Sequence, residues 1–406
     1  MRILFIHDNF PAQYRHVAQA LARNPDHRVG FITQNRTQEL PGVTKLVFEP
    51  ARQAHASTHR YARQFETAIL EGQAVFRVLQ ELKARDFTPD LICAHTGWGA
   101  GMFAKDIYPD TPLLLYCEWY TRTLGGDLDF DPAHPPEIND ILRYRASNAA
   151  MLLDLEACDG GLAPTHWQRS RFPEAFQPRI EVLHDGIDAG FFSPQPGEKL
   201  ELPGLDLSAA EEIVTYSARG MDAYRGFPQF VEALGLLLER RPRCHAVIVG
   251  EDRVAYGPPP PEGNSYKQWM LSKVPLDPKR VHFVGRLPYG LYRRVLRASS
   301  AHVYLTRPFV LSWSLLEAMA TGCLIVASDT APVREAIEDG VNGLLVDFFD
   351  VSRIAERIGE ALGSRESLAH LRERARRTVL ERYDLAELLP RHLRLLEGYA
   401  QGTRGT

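Results

Sequence analysis

The chain is expected to fold as α/β, with two parallel-sheet domains in succession. Three observations carry that expectation. Short β-branched or Leu-rich runs alternate with longer helical segments. The alternation stops in a polar, Pro- and Gly-rich stretch at Phe192–Leu207 and then restarts. The length of 406 residues, 45% of them hydrophobic and 24% charged, exceeds what one core normally holds.

In order, the first half reads as a strand at Arg2–His7 and a helix at Tyr14–Ala22, whose Val17 and Leu21 share one face. Strands follow at Arg28–Thr33 and Lys45–Phe48, then a long helix over Thr58–Arg85. A strand at Leu91–His95 runs into the loop Thr96-Gly97-Trp98-Gly99, and another, Leu113–Glu118, precedes an acidic, Pro-rich loop. A helix over Ile138–Ala157 and strands at Gly160–Ala163 and Ile180–Leu183 complete this half. After Phe192–Leu207, read as a linker, strands are expected at Ile213–Ser217, Ala246–Val249, Val281–Val284, His302–Leu305, Leu324–Ala327 and Gly343–Val346. Helices fall between them, including Pro228–Arg240 and Ser314–Thr321, and Arg353–Ala400 is helical. The run Pro258–Pro261 reads as a surface loop.

A formal net charge of −4 gives no bulk attraction for nucleic acid, and no nucleic-acid partner is expected. The five cysteines, Cys93, Cys117, Cys158, Cys244 and Cys323, show neither metal nor disulfide spacing, and several stand in apolar runs. A reducing, cytoplasmic setting follows, possible also at the inner face of a membrane. No apolar stretch is long enough to cross a bilayer, so any membrane contact would be peripheral. Asp127-Leu-Asp129 has the letters of a metal motif but reads as a solvated acidic loop, and neither metal nor cofactor is expected.

The most informative segment is Tyr304–Leu345. A strand end leads through a loop to a helix whose start is marked by Ser314-Leu-Leu-Glu317, a capping-box pattern, with Gly322 ending it. A helix start beside a strand end is a ready anion site, where the amides of Val310, Leu311 and Ser312 can serve a phosphate or sugar. On these residues alone, Glu317 is either a cap or a ligand. In a second segment, Tyr216–Pro228, Arg219 and Arg225 lie in a Gly-containing loop and suit a diphosphate, or are simply solvated. Gly285-Arg286 and Gly250-Glu251 follow strands on the same sheet edge. In the first half the strand ends offer His7-Asp8, Gln13-Tyr14-Arg15, His95, Trp98 and Glu118.

Glu317-Ala-Met-Ala-x-Gly322 before an apolar strand, then Ser328-Asp329, Glu335 and Asp339-Gly340-x-Asn342-Gly343, resembles the donor-site signature of family-four retaining glycosyltransferases of the GT-B fold. That resemblance implies two Rossmann-like domains facing across a central cleft. The acceptor side takes roughly 1–190 and the nucleotide-sugar domain 191–375, with 376–406 packing back on the first. It implies transfer of a hexosyl group from a nucleoside-diphosphate sugar to a hydroxyl acceptor, saccharide, lipid-linked or other, with retained anomeric configuration, as in polysaccharide or glycoconjugate synthesis. Glu317 would bind ribose and Arg219 with Arg225 the diphosphate. Gly285-Arg286 would stand near the base. Many relatives place a histidine after the strand that ends at Cys117, where this chain has Glu118; Glu118 and the alternative His95, expected to face the cleft, join Arg219 and Arg225 as the catalytic candidates, with Gln13, Tyr14, Arg15 and Trp98 around the acceptor. His184–Asp188 resembles the family's interdomain turn. Arg225 stands where the family has a lysine, Phe309 occupies the place of a second glutamate eight positions before Glu317, and Ala12-Gln13 replaces a Gly-Gly turn; the last two bear on activity. They keep open a catalytically weak nucleotide-sugar-binding scaffold; a GT-B nucleotide-sugar epimerase is a further alternative.

Overall fold

The computed structural model describes residues 1–403. Contacts divide the chain into one unit of Met1–Gly186 with the segment from Ala386 onward, and a second of Ile187–Leu385.

The first unit holds β1 (Arg2–Ile6), β2 (Arg28–Thr33), β3 (Val43–Val47), β4 (Leu91–His95), β5 (Leu113–Tyr116), β6 (Gly160–Ala163) and β7 (Ile180–Val182). Their order across the sheet is β3-β2-β1-β4-β5-β6-β7, and every pairing is parallel. Strands buried on both faces need apolar residues at every position, and β1 shows why. Leu4 and Ile6 enter one apolar cluster with Leu79 of the helix Arg63–Ala84. Ile3 and Phe5 point the other way and pack with Val17 and Leu21 of the helix Arg15–Ala22. Leu388 and Leu396 of the last helix, Leu385–Ala400, join that second face. Each fully buried aliphatic or aromatic side chain there contributes about 1.5–3 kcal/mol, which is what returns the chain's end to this unit. The return begins at Ala386, since the helix Ala369–Arg382, expected in part to belong to it, packs in the second unit through Leu371, Ala375 and Val379.

The second unit opens with a small antiparallel hairpin, β8 (Glu201–Leu202) and β9 (Leu205–Asp206). Phe192, Leu200, Leu202 and Leu207 around it are buried in that unit's core, so the stretch expected to be a linker is packed structure. The chain crosses between units at His184–Asp188 instead, and Ile187 there pairs with Asp384. The main sheet comprises β10 (Glu212–Gly220), β11 (Cys244–Glu251), β12 (Val281–Gly285), β13 (Ala301–Tyr304), β14 (Ile325–Ser328) and β15 (Leu344–Val346). The order is β12-β11-β10-β13-β14-β15, again all parallel.

In both sheets the first strand lies between the second and the fourth of its series. The connections leaving β1 and β4, and those leaving β10 and β13, therefore diverge to opposite sides. A crevice opens at the carboxyl ends where they part. The expected single helix over Ile138–Ala157 is two, Ile138–Ser147 and Ala149–Ala157. Asn148 between them exchanges hydrogen bonds with the backbone of Thr121, a side-chain competition that apolar spacing does not report.

Candidate functional site

The crevice of the second unit is edged by three loops, after β10, β11 and β13. Strand β10 carries a register shift between Ser217 and Gly220, where a bulge re-aims the chain and leaves Arg219 exposed. A short turn Ala223–Arg225 follows, then Gly226 at φ +61 and the helix Phe227–Arg240. Only glycine serves at 226: its left-handed backbone is strained for other residues, and a Cβ would stand 2.5 Å from that of Leu305. Asp222 caps the turn, and its carboxylate, fully buried, accepts the N–H of Arg225 at 3.2 Å and those of Ala255 and Tyr256 at 2.9 and 3.0 Å.

Arg225 is not the solvent-facing fork its loop suggests. It is 5% exposed, and its Nη1 donates to Tyr304 Oη at 3.0 Å, Thr306 Oγ1 at 2.9 Å and the carbonyl of Val310 at 3.1 Å. The ring of Tyr256 lies 5.4 Å from the guanidinium, and that of Phe309 lies 6.0 Å away. Phe309 also meets Tyr224 and Tyr256 edge to face, so the place of the second glutamate is filled by an aromatic cluster.

The helix after β13 spans Trp313–Ala320 and is capped by Ser312, whose hydroxyl accepts the Ser314 N–H. The expected capping box, Ser314 with Glu317, is therefore not formed. Glu317 lies at the fifth helical position, too deep to reach a free N-terminal amide. Its carboxylate is buried beside Tyr292, whose hydroxyl pairs with Ser217 of β10 at 3.1 Å. Burial, then the charge of Glu317, hold that phenol well above its ordinary range. Of the amides expected to serve an anion, Ser312 N–H is already donated to Tyr304 Oη at 2.9 Å. Those of Val310 and Leu311 have no acceptor among the described residues. Gly285 adopts φ +67 at the end of β12, and Arg286 beside it is exposed, 4.0 Å from Glu251. Asp339 and Asn342 build the turn before β15 by bonding Leu345 N–H and Ala336 O, so their motif is structural.

The crevice of the first unit is built of titratable side chains. His7, just past β1, accepts the Asn9 N–H at Nδ1 and donates from Nε2 to Gln13 at 3.1 Å. Gln13 donates to Glu118 Oε1 at 2.8 Å, and His95 Nε2 faces Glu118 Oε2 at 3.3 Å. His95 Nδ1 faces the carbonyl of Thr96 at 2.9 Å. Both ring nitrogens thus face oxygen atoms, surroundings that favour the charged form of the ring. Burial opposes that charge, but the bond and charge of Glu118, with Asp8 farther off, raise the histidine's pKa overall. Burial likewise works against ionised Glu118, but His95 outweighs it and holds the carboxyl below its usual range. His95 and Glu118, the two catalytic candidates of this unit, are hydrogen-bonded to each other.

Three further carboxyls surround the pair. Burial raises Asp8 and, with the charge of Asp8, raises Glu71 of the helix Arg63–Ala84, to which Asp8 is hydrogen-bonded. Burial pushes Asp154 to about 7 while it accepts the Gly97 N–H at 3.1 Å. That bond pins the loop Gly97–Gly99, and Gly99, at φ +88, lies where a Cβ would stand 2.2 Å from the carbonyl of Ala68. Trp98 between them is 51% exposed. Arg15 is exposed too, but Tyr14 is buried with Phe5 and Phe31, so it is core rather than an acceptor contact. Ala12 stands at φ +46, where the family pattern has glycine. Asp127, expected in a solvated loop, is buried, and Asp129 accepts the amides of Gly125 and Gly126. Among the described residues no cluster of three metal-ligating side chains occurs, and no helix is long and apolar enough to cross a membrane.

Sequence reading missed Asp222, Glu71 and Asp154. Asp222-x-x-Arg225 has N-cap spacing, and Glu71 and Asp154 are acidic residues on otherwise apolar helix faces, so each left a readable trace.

Two family models divide the chain: "Glycosyl transferase family 4 group" matches residues 25–192 and "Glycosyl transferases group 1" matches residues 205–378. The chain is 26% identical over 195 residues to the D-inositol 3-phosphate glycosyltransferase of Corynebacterium efficiens, covering 47% of this chain and 44% of that one. It is 26% identical over 236 residues to the alpha-maltose-1-phosphate synthase of Mycolicibacterium smegmatis, covering 54% and 57%. The chain spans about half the length of the curated relatives it matches. Among solved structures, Anabaena HepE in complex with UDP-glucose superposes with a TM-score of 0.71 at 18% identity, covering 98% of this chain and 100% of that one. Sucrose-phosphate synthase from Thermosynechococcus elongatus does so with a TM-score of 0.73 at 17% identity, covering 99% and 100%. The likeness to these structures is one of fold, the GT-B pair of Rossmann-like domains.

Proposed function

The chain belongs to the glycosyltransferase family that these two models describe, and from that premise we propose that it moves a hexosyl group from a nucleoside-diphosphate sugar to a hydroxyl acceptor with retained anomeric configuration. The observation that carries the reading is the crevice after β10 and β13. It offers an exposed guanidinium, Arg219, two amides free of protein acceptors, Val310 and Leu311, and a buried carboxylate, Glu317. A diphosphate needs the first three and a ribose diol needs the fourth. Complexes of the structural neighbour HepE with UDP and UDP-glucose support a nucleotide-sugar donor.

In the reaction, the bond from the anomeric carbon to the leaving phosphate oxygen breaks, and the acceptor oxygen bonds to that carbon on the same face. The departing phosphate takes the hydroxyl proton. Fixed positive potential at Arg219 and the amides stabilises the leaving diphosphate, and no divalent cation is required of it. In the first unit's crevice, Glu118, kept ionised by His95, accepts a hydrogen bond from the acceptor hydroxyl and orients it. Trp98, Arg15 and Gln13 edge that acceptor site. The five free cysteines, all buried, support a reducing, cytoplasmic setting. The product serves polysaccharide or glycoconjugate synthesis.

The test is to incubate the purified chain with a panel of nucleotide sugars and glycoside acceptors and to assign the new linkage by NMR. A product with the donor's anomeric configuration, formed in the presence of EDTA, is expected. An inverted product overturns retention. Donor isomerised without acceptor marks an epimerase, and binding without turnover marks a scaffold, the reading that Phe309 in its aromatic cluster would then favour.

A further inference from the structure

Three of the chain's five tryptophans stand just past the carboxyl ends of three adjacent strands of the first unit. Trp98 follows β4, Trp119 follows β5 and Trp167 follows β6, so they edge the crevice that holds Glu118. Neighbouring strands lie about 4.8 Å apart, which separates the ends of β4 and β6 by roughly 10 Å, wider than a single sugar ring. All three indoles are held in place. Trp98 is half exposed on a clamped loop: Gly97 N–H is bonded to Asp154, and Gly99 lies so close to the helix Arg63–Ala84 that a Cβ at Gly72 would stand 2.7 Å from its carbonyl oxygen. Trp119 and Trp167 are half-buried, their ring centroids 6.4 Å apart. The guanidinium of Arg171 braces both, 5.9 Å from the first ring and 4.8 Å from the second. Its Nη1 and Nη2 donate to the carbonyls of Gly125 at 2.8 Å and Leu124 at 3.2 Å. Gln168, next to Trp167, donates from its side-chain amide to the carbonyl of Glu118 at 2.8 Å, so the segment after β6 is tied to the residue that orients the acceptor hydroxyl.

We propose that the acceptor is an oligosaccharide: the sugar that carries the reacting hydroxyl stacks on Trp98, and the next sugar of the same chain stacks on the Trp119–Trp167 pair. This rests on the acceptor-crevice reading above. A pyranose has an apolar C–H face and a rim of hydroxyls, so its site needs a flat aromatic surface together with polar partners around the edge. The crevice supplies the surface at Trp98 and the partners at Glu118, Gln13 and His7. The paired indoles lie toward β6, out of reach of a ring seated on Trp98, and a second, linked ring reaches them. An indole is a large, stiff contact surface that loses little freedom when a ligand settles on it. Bracing by a buried guanidinium removes part of what remains, which favours binding further. A single sugar or a small polyol leaves the paired platform unused, whereas a chain of sugars occupies both surfaces at once.

The experiment screens the full-length chain on a glycan array. Calorimetry then compares the best-bound disaccharide with the methyl glycosides of its two sugars. The disaccharide is expected to bind about tenfold or more tightly than either methyl glycoside. Trp167→Leu keeps apolar bulk but removes the flat ring, and it should bring the disaccharide to within about twofold of the methyl glycosides. Trp167→Tyr restores a ring and should recover most of that loss. Trp98→Ala changes a half-exposed side chain on which folding does not depend, and it should weaken the disaccharide and the methyl glycosides alike by about tenfold. Nucleoside-diphosphate affinity stays at the wild-type value in each variant. No glycan bound on the array, a disaccharide no tighter than its sugars, or wild-type glycan affinity in Trp98→Ala and Trp167→Leu overturns the proposal. Should Trp167→Leu melt far below wild type, Trp98→Ala and Trp167→Tyr decide. A wild type that moves hexose onto one sugar and gains nothing from a second keeps the transferase reading and loses the oligosaccharide site. One that binds oligosaccharides through these rings but turns over no nucleotide sugar does the reverse.

Discussion

The two sheets share the same order through their first six strands, yet the crevices at their switch points are built from different chemistry. The one in the first unit gathers two histidines and four carboxyls, several with pKa values moved by burial and by one another. The one in the second unit gathers arginines, hydroxyls, aromatic rings and backbone amides, with the buried carboxylate of Glu317 beside them. A parallel sheet supplies the place where a ligand sits, and the loop residues decide which ligand. The first set has the chemistry to exchange protons and bond hydroxyl groups, and the second has the donors that a polyanion needs and a carboxylate that a diol needs.

That division can be broken by variants on either side. The largest effect is expected at Glu118. Glu118→Gln removes the anion that His95 stabilises, and misplacing an acceptor by about 1 Å can cost ~100-fold in turnover. We expect kcat to fall by that order while nucleoside-diphosphate affinity stays at the wild-type value; a loss of both would dissolve the division. Arg219→Ala is the mirror experiment. Losing one charge-assisted contact costs about 1.5–3 kcal/mol, roughly 10–100-fold in affinity. Calorimetry should show that loss with the melting temperature unchanged, and an unaltered titration would remove Arg219 from the site.

A pH test sharpens the contrast within the first unit. Burial raises the folded pKa of Asp154 from 3.8 to about 7, so the folded protein holds a proton there that the unfolded chain releases. The resulting stability is fully present below the unfolded pKa and is lost as pH rises through about 7. Asp154→Asn should therefore melt close to wild type at pH 5 and a few degrees higher at pH 8. Equal differences at both pH values would mean that the carboxyl is not protonated in the folded state. The smallest expected effect is at Ala12. A left-handed backbone costs a residue with a Cβ about 1–2 kcal/mol, partly offset by the greater unfolded entropy of glycine. Ala12→Gly should raise the melting temperature by about 1–2 °C without changing turnover; a lower melting temperature would show the turn to be unstrained.

What sequence reading could reach depended on how far apart the partners are. Strands such as Leu91–His95 and Gly160–Ala163 were legible because apolar runs bounded by turn residues report local structure. The fold class followed from their alternation. Helix N-terminal chemistry was less legible: Ser314 and Glu317 have capping-box spacing, but the chain starts its helix after Ser312. The burial of Arg225 is not legible in its loop because its partners, Tyr304, Thr306 and Val310, lie about eighty residues downstream. The stretch Phe192–Leu207 looked like a linker since its Pro and Gly hide the four apolar side chains that pack. In each case the missing information was a long-range contact, which composition and spacing do not carry.

The central claim is that the crevice after β10 and β13 binds the nucleotide of the donor through Glu317. Its most direct test is calorimetric titration of the wild type and Glu317→Gln with the common nucleoside diphosphates, alongside thermal melts of both. Saturable 1:1 binding by the wild type is expected, weakened about 10-fold or more in Glu317→Gln at an unchanged melting temperature. Equal affinity in the two proteins, with the variant less stable, would make Glu317 a structural residue and contradict the account.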